Sequence, residues 1–509
     1  MKQIRLYTVL IFIPLFISAC SDWLDGALPK DKNLEEAQFA TKPGINSVLN
    51  GLYTTLSNTN LYGERLTTTD VELLAHYYYY LDNTYANGKY IRFEQMANYR
   101  YSESYPKQSF TDIWIDAYDA IFKINRFIEN VQQTTVLPES EKNGLLGEAY
   151  GLRAFLHLDL FRLFGDINDI QKIPYNQSPE VIPHNPVSAA DFQQYLLADL
   201  DMAETLLQND PVRTEGKILD FSLTSSQSLA SAEVFARYFR NFRMNYFAAL
   251  ALKARTLLYF GNSEEAAETA ERALSEAFGE NAESGKPFYW VNKTTITDEQ
   301  VRDFIFYPEV LFAIHNLDLY TNWETNTGGN QEGSTYVVHE DNLRYNIFRN
   351  DITTTDISLW EDIRARQWSP SRIGFGQLIS NKFTKYSFIV YNPKEYIQPL
   401  IRTGELFFIV AENMVNKGQI PEAMTYLNAF RFHRGVQYTS LPDPATIAKE
   451  RAYDILETEY YKEFYGEGQA FFFLKRRGNT KIINATASGT KDILPENYLV
   501  PVPQAELNN

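Results

Sequence analysis

Four glutamates near the C-terminal end, Glu457, Glu459, Glu463 and Glu467, are the densest cluster of side chains able to do acid–base chemistry. At helical spacing Glu459, Glu463 and Glu467 share one face. A pair of carboxylates can hydrolyse a glycosidic bond, but only by flanking the sugar from both sides. Residues on a single helix face cannot do that, so ion pairing with Arg476, Arg477 or Arg153 is the favoured reading and hydrolysis the minor one. Six histidines stand at 76, 157, 184, 315, 339 and 433. None forms the i, i+4 pair that holds a metal on a helix. His157 sits on an apolar helix and reads as a hydrogen-bonded core residue. A glycine-rich phosphate loop, a G-x-S-x-G elbow and an H-E-x-x-H motif are absent. No catalytic residue, metal or cofactor is expected.

The remaining chemistry is that of binding. Aromatic residues make up 15% of the chain, with 34 Tyr and 34 Phe. A core absorbs most Phe, whereas so many Tyr hydroxyls need water or a partner. Two irregular stretches concentrate rings: Tyr77 to Tyr85, and the 280–395 region, which holds Trp290, Trp323, Trp360 and Trp368. Tyr77, Tyr78, Tyr80, Tyr85 and these four tryptophans are the candidate ligand contacts, with Asn83 and Asn322 as hydrogen-bonding neighbours. Packing competes for each ring, because Trp is highly buried on average. At least one of Tyr80, Trp290 and Trp323 is expected to be a stacking platform. A net charge of −17 repels phosphates and argues against nucleic acid.

What must position these residues is a helical body. The stretch 401–435 reads as two helices back to back. Leu406, Ile409, Val410, Ala411 and Met414 line the first. Lys417 lies in its last turn, Gly418 caps it, and Pro421 opens the second, lined by Ala423, Leu427 and Phe430. Ala411, Gly418 and Ala423 repeat in the spacing of Ala254, Gly261 and Ala266, with Asn262 and Glu265 set as a capping box. One hairpin cannot bury its own apolar face, so two copies predict stacked tetratricopeptide-like hairpins. The fold class expected is all-α, with long irregular insertions. Further helices are expected over 43–57, 110–131, 141–164, 189–207 and 445–473. Residues 58–110 read as surface loop and short turns, and 173–186, with four prolines, as a rigid crossing.

The lone cysteine excludes an intrachain disulfide. Its setting is informative: Lys2 and Arg5, an apolar run from Leu6 to Ile17, then Ser18, Ala19 and Cys20. That is a lipoprotein signal, with residues 1–19 removed and Cys20 acylated. Apolar content of 44% and mean hydropathy of −0.34 describe a soluble body behind that anchor. Residues 20–280 and 281–509 form two halves packed as one body.

In order along the chain, GEAYGLRAFLHLDLFRLFGD (147–166), ALALKARTLLYFGN (249–262), IRTGELFFIVAEN (401–413), LNAFRFHRG (427–435), EFYGEG (463–468) and YLVPVPQAEL (498–507) resemble the SusD/RagB family of outer-membrane nutrient-uptake lipoproteins of Bacteroidetes-type bacteria. The resemblance implies four tetratricopeptide-like units, display at the cell surface, and a SusC-like, TonB-dependent β-barrel transporter as partner. It implies a non-catalytic protein that captures an oligosaccharide, or, in the RagB manner, a peptide. A glycan hydrolase and a pure protein scaffold are the readings from other classes.

Overall fold

The 401–435 stretch folds as its spacing dictates. In the computed structural model, helices Thr403–Asn416 and Ile420–His433 are joined through Lys417 and Gly418, the glycine at φ +77°. A left-handed residue closes the first helix without Cβ strain, and Pro421 starts the second where its missing N–H is not needed. Leu406, Ile409, Val410, Ala411, Ala423, Leu427 and Phe430 are buried, while Met414 is half-buried. Tyr246–Tyr259 and Ser263–Ala277 form the matching hairpin about Gly261 at φ +93°. Arg255 of one hairpin donates to Glu405 of the other at 2.7 and 2.6 Å, both side chains buried. The capping box at Asn262 does not form. Its side chain caps nothing and instead accepts from Gln193 Nε2 at 3.1 Å.

The structure describes residues 30–80, 89–216, 218, 237–297, 302–327, 336–349, 359–373, 377–383, 396–437, 441–485 and 489–503. Segment 1–19 and Cys20 lie outside them. Helices Lys42–Leu56, Ser104–Gln133, Glu139–Phe164 and Ala189–Leu206 fall within a few residues of their expected limits, apart from an earlier start for the second. Among the described residues no helix is long and apolar enough to cross a membrane. One hydrophobic cluster runs from Ile45 to Val500.

Three expectations are corrected. The protein is predominantly helical but not all-α. Val310–His315 pairs antiparallel with Ile397–Arg402, and Tyr79–Tyr80, Tyr336–His339, Gln377–Ser380 and Trp368–Ile373 form a four-stranded sheet in that order. The apolar run Val310–Ile314 is buried on both sides, so it shows no alternation and little to tell it from a helix. Residues 58–110 are not simply surface loop. Helices Asp70–Leu74 and Lys89–Ala97 interrupt them, and Leu61, Tyr62, Leu66, Val71, Leu73 and Leu74 are buried. A segment buried all round carries no amphipathic stripe. The 445–473 helix is two helices, Lys449–Glu463 and Ala470–Arg477. Gly466 and Gly468 part them at φ +70° and +71°. A Cβ on Gly468 would sit 2.2 Å from the Leu66 carbonyl oxygen, so only glycine fits.

Candidate functional site

The sheet brings the two aromatic stretches together. Tyr79 pairs with Val337 and Tyr80 with Tyr336; Val338 pairs with Leu378, and Trp368 with Ser380. Beneath it lies a packed cluster of rings. Tyr77 stacks on Tyr465 at 4.5 Å between centroids, and Trp368 meets Tyr465 at 4.9 Å. Trp323 meets Phe383 edge-on at 5.0 Å, and Trp360 packs on Phe348 at 5.4 Å. Tyr77, Tyr78, Trp323, Trp360 and Trp368 are all buried, so none of these five presents a free face. The tyrosines tolerate this because their hydroxyls are used: Tyr77 donates to the Tyr461 carbonyl at 3.1 Å and Tyr78 to that of Thr68 at 3.0 Å.

Trp290 belongs to another cluster. It is half-buried, flat against His433 at 4.3 Å and 6°, with Phe407 at 4.9 Å. Asn322 is half-buried on helix Leu319–Thr327 beside Trp323. Tyr80 is placed by its strand, while Asn83 and Tyr85 lie outside the described residues. One exposed ring near this site escaped the sequence reading. Tyr345 is 54% exposed on a π-helical turn, Leu343–Ile347, a type of turn frequent at functional sites. Asn342, next to that turn, donates to the Tyr77 carbonyl at 3.3 Å and ties it to the tyrosine run. A single Tyr among polar residues has no periodicity to announce it.

Under the rings lie the glutamates. Glu459 meets Arg364 at 2.7 Å, Lys462 at 2.8 Å and Arg431 at 3.3 Å. Glu463 meets Arg402 and Arg434 at 2.6 Å each and Arg364 at 3.1 Å. Glu467 meets Lys382 at 2.6 Å and Arg402 at 2.8 Å. Ion pairing is thus found, with different partners from those expected. Arg476 pairs with Glu412, Arg153 with Asp199, and Arg477 lies over the Tyr453 ring. Burial alone would raise the pKa of Glu459 and Glu463; the surrounding cations outweigh it and push both down. Glu457 differs: burial raises it to about 7, against weaker help from Arg349 and from Asn479, whose amide donates at 2.7 Å. Glu72 is raised by burial to about 8, although Gly466 and Gly468 N–H groups both donate to it at 3.0 Å.

His157 is the core residue it was expected to be. Nδ1 donates to the Arg153 carbonyl at 2.9 Å, and Nε2 accepts from Asn176 N–H at 2.9 Å. Among the described residues no three His, Cys, Asp or Glu side chains are grouped to hold a metal ion.

Comparison with known proteins agrees with this architecture. A family profile described as starch-binding and associating with the outer membrane matches residues 22–258, and the SusD family profile matches residues 375–509. The chain belongs to the SusD/RagB family of Bacteroidetes outer-membrane nutrient-uptake proteins. Among curated relatives, the SusD-like protein P25 of Formosa agariphila is 23% identical over 177 residues, covering 32% of this chain and 31% of that relative's length. A SusD superfamily crystal structure from Bacteroides thetaiotaomicron superposes with a TM-score of 0.65 at 21% identity, over 92% of this chain and 98% of the other. A SusD-like carbohydrate-binding protein from Bacteroides vulgatus gives 0.59 at 17% identity, over 87% and 85%. At these identities the structures show a shared fold.

Proposed function

We propose that the protein is a non-catalytic, glycan-binding lipoprotein, acylated at Cys20 and displayed on the outer membrane. It captures oligosaccharide and hands it to a SusC-like TonB-dependent β-barrel. In this reading its two Gly-turn hairpins are units of a tetratricopeptide-like stack that carries the site as an insertion. The observation that carries the reading is the four-stranded sheet. It joins the tyrosine run to the 336–380 insertion, far apart in the chain, at one place on a helical body. Tyr80, Tyr345 and Asn83 are the proposed contacts. Rings stack on sugar faces while amides and carboxylates bind hydroxyls. The buried cluster of Trp323, Trp368 and Tyr77 acts as its floor. Among the described residues Glu459, Glu463 and Glu467 are each taken up by buried cations, which favours binding over hydrolysis.

The test starts with a glycan array and proceeds to calorimetric titration of Tyr80→Ala and Tyr345→Ala. Loss of a stacked ring should weaken binding by about 0.5–1.5 kcal/mol with unchanged melting. Trp323→Ala should instead lower the melting temperature, since removing a buried Trp costs about 3–5 kcal/mol. Wild-type affinity in both tyrosine variants, with normal melting, refutes the placement of the site.

A further inference from the structure

A cavity of ≈ 620 Å³ opens between the Ser104–Gln133 helix and the 174–186 crossing, and shares no residue with the sheet. One wall is a helix face carrying Trp114, Tyr118 and Phe122 at i, i+4 and i+8. The other is the proline crossing, held by the Pro174–Pro186 bridge and by Tyr118 Oη donating to the Pro174 carbonyl at 2.7 Å. Prolines and that bond fix the groove in advance, so little ordering is left for a ligand to impose. Its mouth is aliphatic. Val181 is 90% exposed and Ile182 49%. Ile115, 57% exposed, lies on the same helix face as Asp119 and Phe122. Val181 and Ile182 give the groove an exposed apolar rim.

Carboxylates outnumber cations around the groove. Asp119 and Glu180 line it, and an adjoining depression of ≈ 460 Å³ shares Asp119 and adds Asp116 and Asp318. Among the lining residues these four carboxylates face one ammonium, Lys123, which is bound to Asp119 at 2.6 Å. We propose that this groove docks an extended segment of another polypeptide, rich in proline or aliphatic residues and carrying a basic residue beside Asp119. Extended proline-rich segments dock in aromatic-lined grooves of this kind. The surplus of carboxylates complements the basic residue. The most exposed residues of this groove are the aliphatic Val181 and Ile182 rather than a ring, which sets it apart from the proposed glycan site. The two sites share no residue and stand or fall separately.

The test pans a phage-displayed library of random dodecapeptides on the full chain in detergent, with counter-selection on Phe122→Asn and Val181→Asn. Recovered sequences should be basic and rich in Pro, Val, Ile or Leu. As synthetic peptides they should bind about tenfold more weakly to either variant. Asp119→Asn and added salt should each weaken them several-fold. Val181 is so exposed that its variant should melt as wild type, which separates lost binding from lost folding. No enrichment, enrichment of acidic sequences, or affinity unchanged in Val181→Asn and Asp119→Asn overturns the proposal. So does a maltohexaose or xylohexaose titration whose heat disappears in Phe122→Asn but persists in Tyr345→Ala, which makes the groove a glycan site.

Discussion

Glu463→Gln separates a structural carboxylate cluster from a reactive one. The Glu463 carboxylate touches three guanidiniums, those of Arg364, Arg402 and Arg434, and all four side chains are buried. An amide keeps the shape but loses the charge and turns an N–H₂ toward donors. Breaking a buried pair in this way costs about 3–5 kcal/mol. Unfolding entropy near 2.1 cal/mol/K per residue gives a chain of this length roughly 1 kcal/mol per kelvin. If the body unfolds as one unit, the melting temperature should fall by about 3–5 °C. Glu457→Gln is the control on the same helix. Burial already raises that carboxyl to about 7 and its neighbour is the Asn479 amide, so at pH 7 the change should cost under about 1 kcal/mol. Differential scanning calorimetry of both variants and the wild type decides. Equal melting of Glu463→Gln and Glu457→Gln would refute the reasoning that the guanidinium cage supports the fold.

Two further outcomes follow from packing and titration. Ala266 and Ala423 are fully buried where the hairpins close, so Ala→Leu at either should overpack the core and cost roughly 1–3 kcal/mol, with Ala→Ser milder. Wild-type melting of both Leu variants would contradict the close helix approach. Glu72 has a folded pKa of about 8 against about 4.3 in the unfolded chain, so between those values the folded state binds more protons and stability falls as pH rises, by at most about 1.4 kcal/mol per pH unit. Glu72→Gln should remove that slope and melt higher relative to wild type at pH 8 than at pH 5; a difference independent of pH would show that Glu72 is ionised throughout.

The helical hairpins were legible because their signals are local: apolar spacing, Gly418 and Gly261 at left-handed turns, Pro421 at a helix start. The pairing of the glutamates was legible in kind and not in detail. Arg364 reaches Glu463 across 99 residues of chain and Arg402 across 61, separations that leave no pattern in the sequence. The sheet joins the tyrosine run to part of the second aromatic stretch, while Trp290 stays apart from it. Which rings stay exposed depends on contacts such as Tyr77 with Tyr461, 384 residues apart, and those bury five of the eight candidate rings. The break in the last helix was written in EFYGEG, but two glycines in a helical pattern do not declare a left-handed φ until a neighbour, here the Leu66 carbonyl, forbids a Cβ.

That broken helix sets the geometry beneath the proposed site. Ending at Glu463, it frees the N–H groups of Gly466 and Gly468, and both donate to Glu72. Glu72 lies on the short helix Asp70–Leu74, directly before the tyrosine run that enters the sheet. The same turn carries Tyr465, on which Tyr77 stacks and against which Trp323 and Trp368 pack. It also carries Glu467, which holds Lys382 just beyond strand Gln377–Ser380 and Arg402 at the end of strand Ile397–Arg402. Residues 464–469 thus join the N-terminal tyrosines, the tryptophan-bearing insertion and the C-terminal hairpin at one point. Their buried charges are met by several partners each, so moving any one piece strands a charge belonging to another. A ligand site laid over this turn can vary in its outer residues while its floor stays fixed, because no atom of the floor has to change when an exposed ring such as Tyr345 does.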